Sequence, residues 1–353
     1  MCSSDLGPLL VERGICQPGY RGIVSWVLWP STSMMVASGL LSFGLKWRTV
    51  VRAFGGLGRL LGGTPDEADN DPIAHVEVPP SWFLGGTLAA GTACVLLGHF
   101  LFGITWWMGI LAVLVTFLLS IVAARATGET DITPIGAMGK ITQLIYGVVA
   151  PSNITTNLMT ASITSGAASH AADLLTDLKS GYLLGGNPRK QTISQLFGVL
   201  AGTLVSVPAY LFVVQRNPAQ LGSEALPAPS AKVWAGVAEL LAKGVSALPA
   251  GAIEAIVVGA VLGIALTLLE EFGPQGWKAW LPSTTGLGIA GVIPAFNSFA
   301  MFAGALMAWL LAKARPQAAE TYVVPVSSGL IAGESLMGVA IILGIELIKF
   351  VAS

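Results

Sequence analysis

Residues 127–190 read TGETDITPIGAMGKITQLIYGVVAPSNITTNLMTASITSGAASHAADLLTDLKSGYLLGGNPRK. The stretch holds Glu129, Asp131, Lys140, His170, Asp173, Asp177 and Lys179, together with Asn153, Asn157 and many Ser, Thr, Gly and Ala residues. Arg125 precedes it, and Arg189 and Lys190 close it, so positive charge flanks both ends and the stretch is expected to enter and leave a membrane on one face. Its pattern predicts a broken hairpin: a helix over about Pro134–Val149, an Ala-Pro-Ser-Asn turn, and a second helix over about Thr155–Leu178. Neither limb is apolar enough to face lipid all round, so both are expected to be enclosed by other helices.

The rest of the chain explains why such a stretch stands out. Of 353 residues 54% are hydrophobic and 10% charged, with a mean hydropathy of +0.74; a soluble domain carries about 25% charge. The fold class that follows is an all-α, polytopic integral membrane protein. Apolar windows and broken segments together predict about 8 membrane segments, some discontinuous or re-entrant. The spans fall at Gly22–Leu45 (broken near Trp29-Pro30-Ser31-Thr32), Ser81–Phe102, Ile104–Ala124, Thr192–Val214, Ala250–Leu269, Leu281–Ala312 and Val324–Val351. Gly103 hinges the second and third. Lys46–Leu60 has the basic, amphipathic pattern of a cytoplasmic interfacial helix, and 62–80, acidic and Pro-rich, that of a flexible cytoplasmic loop. Lys232–Leu248 is an amphipathic helix. We treat 1–353 as a single transmembrane domain. Gly198/Gly202, Gly259/Gly263 and Gly329/Gly333 each have the spacing that allows close helix crossing. A net charge of -1 without a basic, aromatic-interleaved patch argues against nucleic acid as a partner. Three dispersed cysteines, Cys2, Cys16 and Cys94, supply no metal cluster, and no cofactor is expected.

One short pattern occurs twice. Trp29–Leu40 (WPSTSMMVASGL) and Leu281–Val292 (LPSTTGLGIAGV) share Pro-Ser-Thr-(Ser/Thr) followed by a small-Gly-aliphatic step. Corresponding interrupted helices in two places point to internal repeats of the kind transporters use.

Ionisable groups at membrane depth are expensive and mark pathways or sites. On a helical second limb, His170, Asp173 and Asp177 lie at i, i+3 and i+7 and share a face. Two readings fit: they line a polar cavity that takes up protons or holds cargo, or they emerge at the interface beside Lys179, Arg189 and Lys190. In the first limb Thr133 or Asp131 has the position of a helix cap, with Pro134 at the first helical position. Glu129 and Lys140 go beyond capping. Asn153 and Asn157, four apart, either cap or hydrogen-bond cargo. Glu334, inside the last membrane segment, is a candidate proton carrier with Asp173 and Asp177, and Asn297 is a candidate cargo ligand. His99 reads as a satisfied interior or interface histidine.

Three segments carry a resemblance to a known family: TGETDITPIGAMGKITQLIYG, NLMTASITSGAASHAADLLTDLKSGYLLGGNPRKQ and PVSSGLIAGESLMGV. They resemble the oligopeptide transporter family in its bacterial and yellow-stripe-like branch, and the likeness runs from about Arg21 through most of the chain. The resemblance implies an all-helical protein built by duplication that carries small peptides or metal chelates by proton-driven secondary transport. Family members are usually much longer, and this chain matches their C-terminal half. A truncated record, or completion by a missing N-terminal half or a second copy, is therefore expected.

The expected function is that of a proton-coupled secondary transporter for small oligopeptides or siderophore-like metal chelates. Cargo would meet Glu129, Asp131, Lys140, Asn153, Asn157, His170 and Asn297; Asp173, Asp177 and Glu334 would carry protons. The expected location is the bacterial inner (plasma) membrane. Two alternatives stand beside it. One is a polytopic enzyme in which Asp173 and Asp177 hold Mg2+ against a diphosphate lipid; the other is a passive channel or assembly subunit.

Overall fold

A computed structural model describes residues 11–12, 18–49, 51, 76, 78–130, 133–211, 214, 221, 223, 228–244, 248–278 and 280–352. Over these residues the architecture is all-α. In chain order the helices are α1 Tyr20–Leu45, α2 Pro80–Phe102, α3 Trp106–Thr130, α4 Ile135–Val149, α5 Ile154–Leu183 and α6 Pro188–Tyr210. They continue as α7 Pro229–Lys243, α8 Ala252–Phe272, a single short turn of helix at Gln275–Lys278, α9 Thr284–Ala290, α10 Ala295–Ala314 and α11 Pro316–Ala352. Among the described residues, 7 helices (α1, α2, α3, α6, α8, α10 and α11) are long and apolar enough to cross a membrane, and α4 is a shorter apolar helix. The protein is an integral membrane protein. Helices suit that setting because each pairs its own backbone groups away from water. Most of 50–60 and of 62–80, the expected interfacial helix and acidic loop, lie outside the described residues.

Several expected segment boundaries differ: the last segment, expected over Val324–Val351, begins at Pro316, and the amphipathic helix expected over Lys232–Leu248 is Pro229–Lys243. Helix α1 is continuous through Pro30; packing of this stretch, described below, outweighs the missing backbone donor. The expected single segment Leu281–Ala312 is instead two helices, α9 and α10, separated at 291–294. The sequence Ile293-Pro294 accounts for this break, since proline disfavours helical geometry in the residue before it.

Contacts within the chain group it into two compact units. The larger comprises Leu28–Gly198 and Ser230–Gly288. In it α3 and α4 both lie along α5, and α2 packs on α3. The turn from α2 to α3 is built on Gly103, whose φ of 66° suits glycine. Its N–H donates to His99 O at 3.1 Å, and Ile104 N–H donates to Gly98 O at 3.1 Å. His99 Nδ1 lies 2.9 Å from Ile104 O; because a carbonyl only accepts, Nδ1 carries the proton. The imidazole also stacks on Trp106, with centroids 3.9 Å apart. This histidine closes a turn.

The apolar core of this unit is assembled from small and large residues in alternation. Val122 and Ala123 of α3 meet Met138 of α4 and Ala168 of α5, flanked by Phe43. A second cluster joins Ala112, Tyr146 and Ala150. Elsewhere in the unit, α8 crosses α1 with almost no side chain between them. A Cβ on Gly259 would stand 2.3 Å from Pro30 O, and one on Gly263 would stand 2.5 Å from Met34 O. The other two glycine pairs behave differently: Gly198, Gly202, Gly329 and Gly333 have nothing within 4 Å of an added Cβ. Spacing alone does not say which glycines meet a neighbour.

The two Pro-Ser-Thr segments meet at the same place. Ser38 Oγ and Thr284 Oγ1 are 2.7 Å apart, and Thr267 Oγ1 donates to Ser38 Oγ at 2.8 Å. A Cβ on Gly288 would reach Met35 Cγ at 2.4 Å and Ser31 O at 3.1 Å. The smaller unit comprises Met1–Val27, Val199–Pro229 and Ile289–Ser353. Here α10 packs on α11, and Tyr20 OH donates to Val292 O at 3.1 Å.

Candidate functional site

Helix α4 carries Lys140 and Gln143 one turn apart, so both side chains leave the same face. That face is turned inward. Lys140 is 5% exposed, Gln143 is 0% and Asn157, on α5, is 3%. Lys140 Nζ donates to Gln143 Oε1 at 2.9 Å. Gln143 Nε2 donates twice, to Asn157 Oδ1 at 3.1 Å and to Trp234 O at 3.1 Å. Asn157 Nδ2 returns a bond to Gln143 O at 2.7 Å. The Gln143 amide thus has both hydrogens and its oxygen engaged, which fixes its orientation.

Trp234 closes the cluster from α7. Its ring centroid lies 4.3 Å from Lys140 Nζ, a cation–π geometry. The ring fits because residue 139 is glycine: an added Cβ there would lie 2.0 Å from Trp234 Cη2. Two turns further on, a Cβ on Gly147 would meet Leu241 of α7 at 3.2 Å. Helix α7 is amphipathic and buries Val233, Gly236 and Ala238, which sets its indole-bearing face against α4.

The buried face of α5 is unusually rich in hydroxyls. Thr156, Thr160 and Thr164 recur every fourth residue and are all fully buried. Thr160 Oγ1 donates to Thr156 O at 2.8 Å, and Thr164 Oγ1 donates to Thr160 O at 3.2 Å. Thr164 Oγ1 also pairs with Thr116 Oγ1 of α3 at 2.9 Å. Thr156 Oγ1 is buried with no hydrogen-bond partner. Tyr146 OH donates to Met108 O, tying α4 to α3. These bonds make α3, α4 and α5 a single polar-lined bundle in which most hydroxyls are satisfied locally.

The other candidate residues fall in varied places. Asn153 is the N-cap of α5, its Oδ1 accepting from Thr156 N at 2.9 Å. His170, Asp173 and Asp177 lie on the C-terminal part of α5 and are exposed within this chain. Asp173 Oδ2 accepts from Ser169 Oγ at 3.4 Å. Asp177 Oδ2 accepts from Gln195 Nε2 of α6 at 2.6 Å, and its backbone oxygen from Gln191 Nε2 at 2.6 Å. Glu334 is exposed along α11, and Asn297 is half-buried in the first turn of α10. Glu129 lies in the last turn of α3, and Asp131 lies outside the described residues. Thr133 does not cap α4. The N-cap position is Pro134, without a side-chain cap, and Thr133 Oγ1 instead accepts from Thr127 Oγ1 at 2.9 Å. Of the candidate ligands, Lys140 and Asn157 are brought together, through Gln143.

Gln143, Trp234 and the threonine face are not among the residues expected from the sequence. Two of the three had a signal. Lys140 and Gln143 are polar one turn apart on an otherwise apolar helix, and Thr156, Thr160 and Thr164 repeat at four residues. Trp234 had none, because it lies far along the chain in a helix whose docking partner is set by tertiary packing.

A profile of the family described as OPT oligopeptide transporter protein matches residues 18–345. The putative oligopeptide transporter YGL114W of Saccharomyces cerevisiae is 32% identical over 272 residues, covering 72% of this chain and 36% of that protein. The probable metal-nicotianamine transporter YSL8 of Oryza sativa subsp. japonica is 30% identical over 219 residues, covering 60% of this chain and 31% of the rice protein. Its Arabidopsis thaliana namesake is 27% identical over 263 residues, covering 73% and 36%. The matched part of the chain thus spans about a third of the length of these curated relatives.

Proposed function

The chain belongs to the oligopeptide transporter family, and from that premise we propose that it forms part of a secondary transporter rather than an enzyme. Its cargo is a small peptide or a metal chelate, as the names of the yeast and plant relatives suggest, moved across what we take to be a bacterial inner membrane. The observation that carries this reading is the sealed polar cluster of Lys140, Gln143 and Asn157. An apolar chain that keeps a cation and two amides off lipid and off water sustains a desolvation cost that stability alone does not require. Lys140, Gln143 and Asn157 form the cargo site in this proposal, and the hydroxyl face of α5 continues it.

Transport is coupled to protons in this reading, with Asp173, Asp177 and Glu334 as the carriers. Asp173 and Asp177 are hydrogen-bonded to neutral partners, Ser169 and Gln195, so their side-chain bonds leave them free to exchange a proton without breaking an ion pair. Glu334 lies in the Pro316–Ile341 span, where a carboxylate is costly unless it has work to do. The test is uptake into proteoliposomes of small peptides and of ferric or nickel chelates, with and without an imposed pH gradient. Accumulation that needs the gradient supports the proposal. Uptake that follows the cargo gradient at every pH would identify a passive pore instead.

A further inference from the structure

Resting on the transporter reading above, we propose that Lys140 is the counter-charge for a carboxylate of the cargo, and that Trp234 is the cover lying over this ammonium when the site is empty. Apart from Gln143 Oε1, the neutral part of the cluster is satisfied without the lysine: the two hydrogens of the Gln143 amide reach Asn157 and Trp234 O, and Asn157 bonds back to Gln143 O. Lys140 contributes one bond to this set, from Nζ to Gln143 Oε1. An ammonium has three hydrogens to donate. The other support for its charge is the Trp234 ring face.

No carboxylate lies at ion-pair distance from Nζ among the described residues. Glu239, the carboxylate carried by α7, is exposed and pairs with Lys243 at 3.2 Å. The carboxylates Asp173 and Asp177 of α5 are exposed and bonded to Ser169 and Gln195. A buried cation lacking its anion is costly, and a glutamine or methionine would avoid that cost at the same position. The arrangement suits an anion that arrives from outside. A carboxylate is the group that peptides and amino-acid-derived chelates share, and it takes charge-assisted hydrogen bonds from an ammonium. Trp234 can leave and return because it occupies a notch, the absent side chain of Gly139, rather than a bonded position in the core. Thr156 Oγ1, buried and unpartnered at the head of the same α5 face, is a second donor available to the bound group.

The experiment measures ligand-induced shifts in the melting temperature of the full chain in detergent, from which dissociation constants follow. The probes are trialanine, trialanine C-terminal amide, and the nickel–nicotianamine chelate, tested on the wild type, Lys140→Gln and Lys140→Arg. If the carboxylate comes from a peptide, trialanine binds and its amide binds about tenfold or more weakly. If it comes from a chelate, the nickel complex binds instead. In either case Lys140→Gln abolishes the shift, while Lys140→Arg retains part of it. Equal binding of trialanine and its amide overturns the carboxylate assignment and leaves the transporter reading standing, and so does full chelate binding by Lys140→Gln. The acid–amide comparison on the wild type decides the matter for peptides even if Lys140→Gln does not fold. Absence of a shift with every probe on the wild type overturns the transporter reading and this one together.

Discussion

Gly139→Ala places a methyl group where the Trp234 ring now lies. The new Cβ would stand 2.0, 2.7 and 2.8 Å from Cη2, Cζ2 and Cζ3 of that ring. Carbon atoms rest at about 3.5–4.0 Å from one another, so the ring must retreat by about 1.5 Å or α4 and α7 must part. Retreat weakens the cation–π contact with Lys140, a loss of about 0.5–2 kcal/mol. Overpacking costs about 1–3 kcal/mol more, and replacing a helical glycine by alanine offsets about 0.5–1 kcal/mol of this. The expected balance is a destabilisation of about 1–4 kcal/mol. Gly136→Ala, on the same helix, is the internal control: it is exposed, and nothing lies within 4 Å of its added Cβ. That variant should be more stable than the wild type by about 0.5–1 kcal/mol. Reversible denaturation in mixed micelles, followed by far-ultraviolet circular dichroism, gives both numbers. If the two variants shift stability in the same favourable direction, Trp234 does not occupy the Gly139 notch and the closure over Lys140 is wrong.

Other expectations follow from the same geometry. Gly259→Ala and Gly263→Ala press a methyl against α1 backbone oxygens and should each destabilise by about 1–3 kcal/mol or more, whereas Gly202→Ala and Gly333→Ala should not; thermal unfolding of the four variants separates them. Gln143→Leu removes the acceptor of Lys140 and the donor to Asn157 at once, leaving buried polar groups unsatisfied at about 1–3 kcal/mol each, so its unfolding midpoint should fall well below that of an exposed control such as Gln317→Leu. Asn153→Ala deletes the cap of α5 at about 0.5–2 kcal/mol, and Asn153→Asp should retain most of that stability in the same assay. Asp173→Asn and Glu334→Gln should each abolish gradient-driven uptake in proteoliposomes while membrane levels stay normal; unchanged uptake in both would remove the assigned proton carriers.

Much of the fold can be read from local chemistry, and the exceptions have physical causes. The two limbs of the central hairpin are where their polarity and the Ala-Pro-Ser-Asn turn put them: α4 ends at Val149 and α5 starts at Ile154. The Gly103 hinge is equally local. Pro30 misleads because a proline's local cost is visible in sequence, while the tight packing of α1 on Gly259, Gly263 and Gly288 is not. The glycine pairs mislead for a related reason, since a four-residue spacing defines a stripe but not what it faces. In the site, burial cost identifies Lys140 and Asn157 as groups needing an explanation. Gln143 joins them through a bond across 14 positions in the chain, and Trp234 O through one across 91. Contacts of that second kind have no local signature.

The Ser38–Thr284 contact spans 246 positions in the chain. Ribosomes add about 5–20 residues per second, so the N-terminal span spends roughly 12–50 s in or beside the bilayer before its partner exists. During that interval the serine and threonine hydroxyls of 31–38 have no α8 or α9 to meet, and any neighbour in the insertion machinery competes for them. Substitutions on this seam should therefore lower the yield of inserted protein more than they lower the stability of molecules that have already matured.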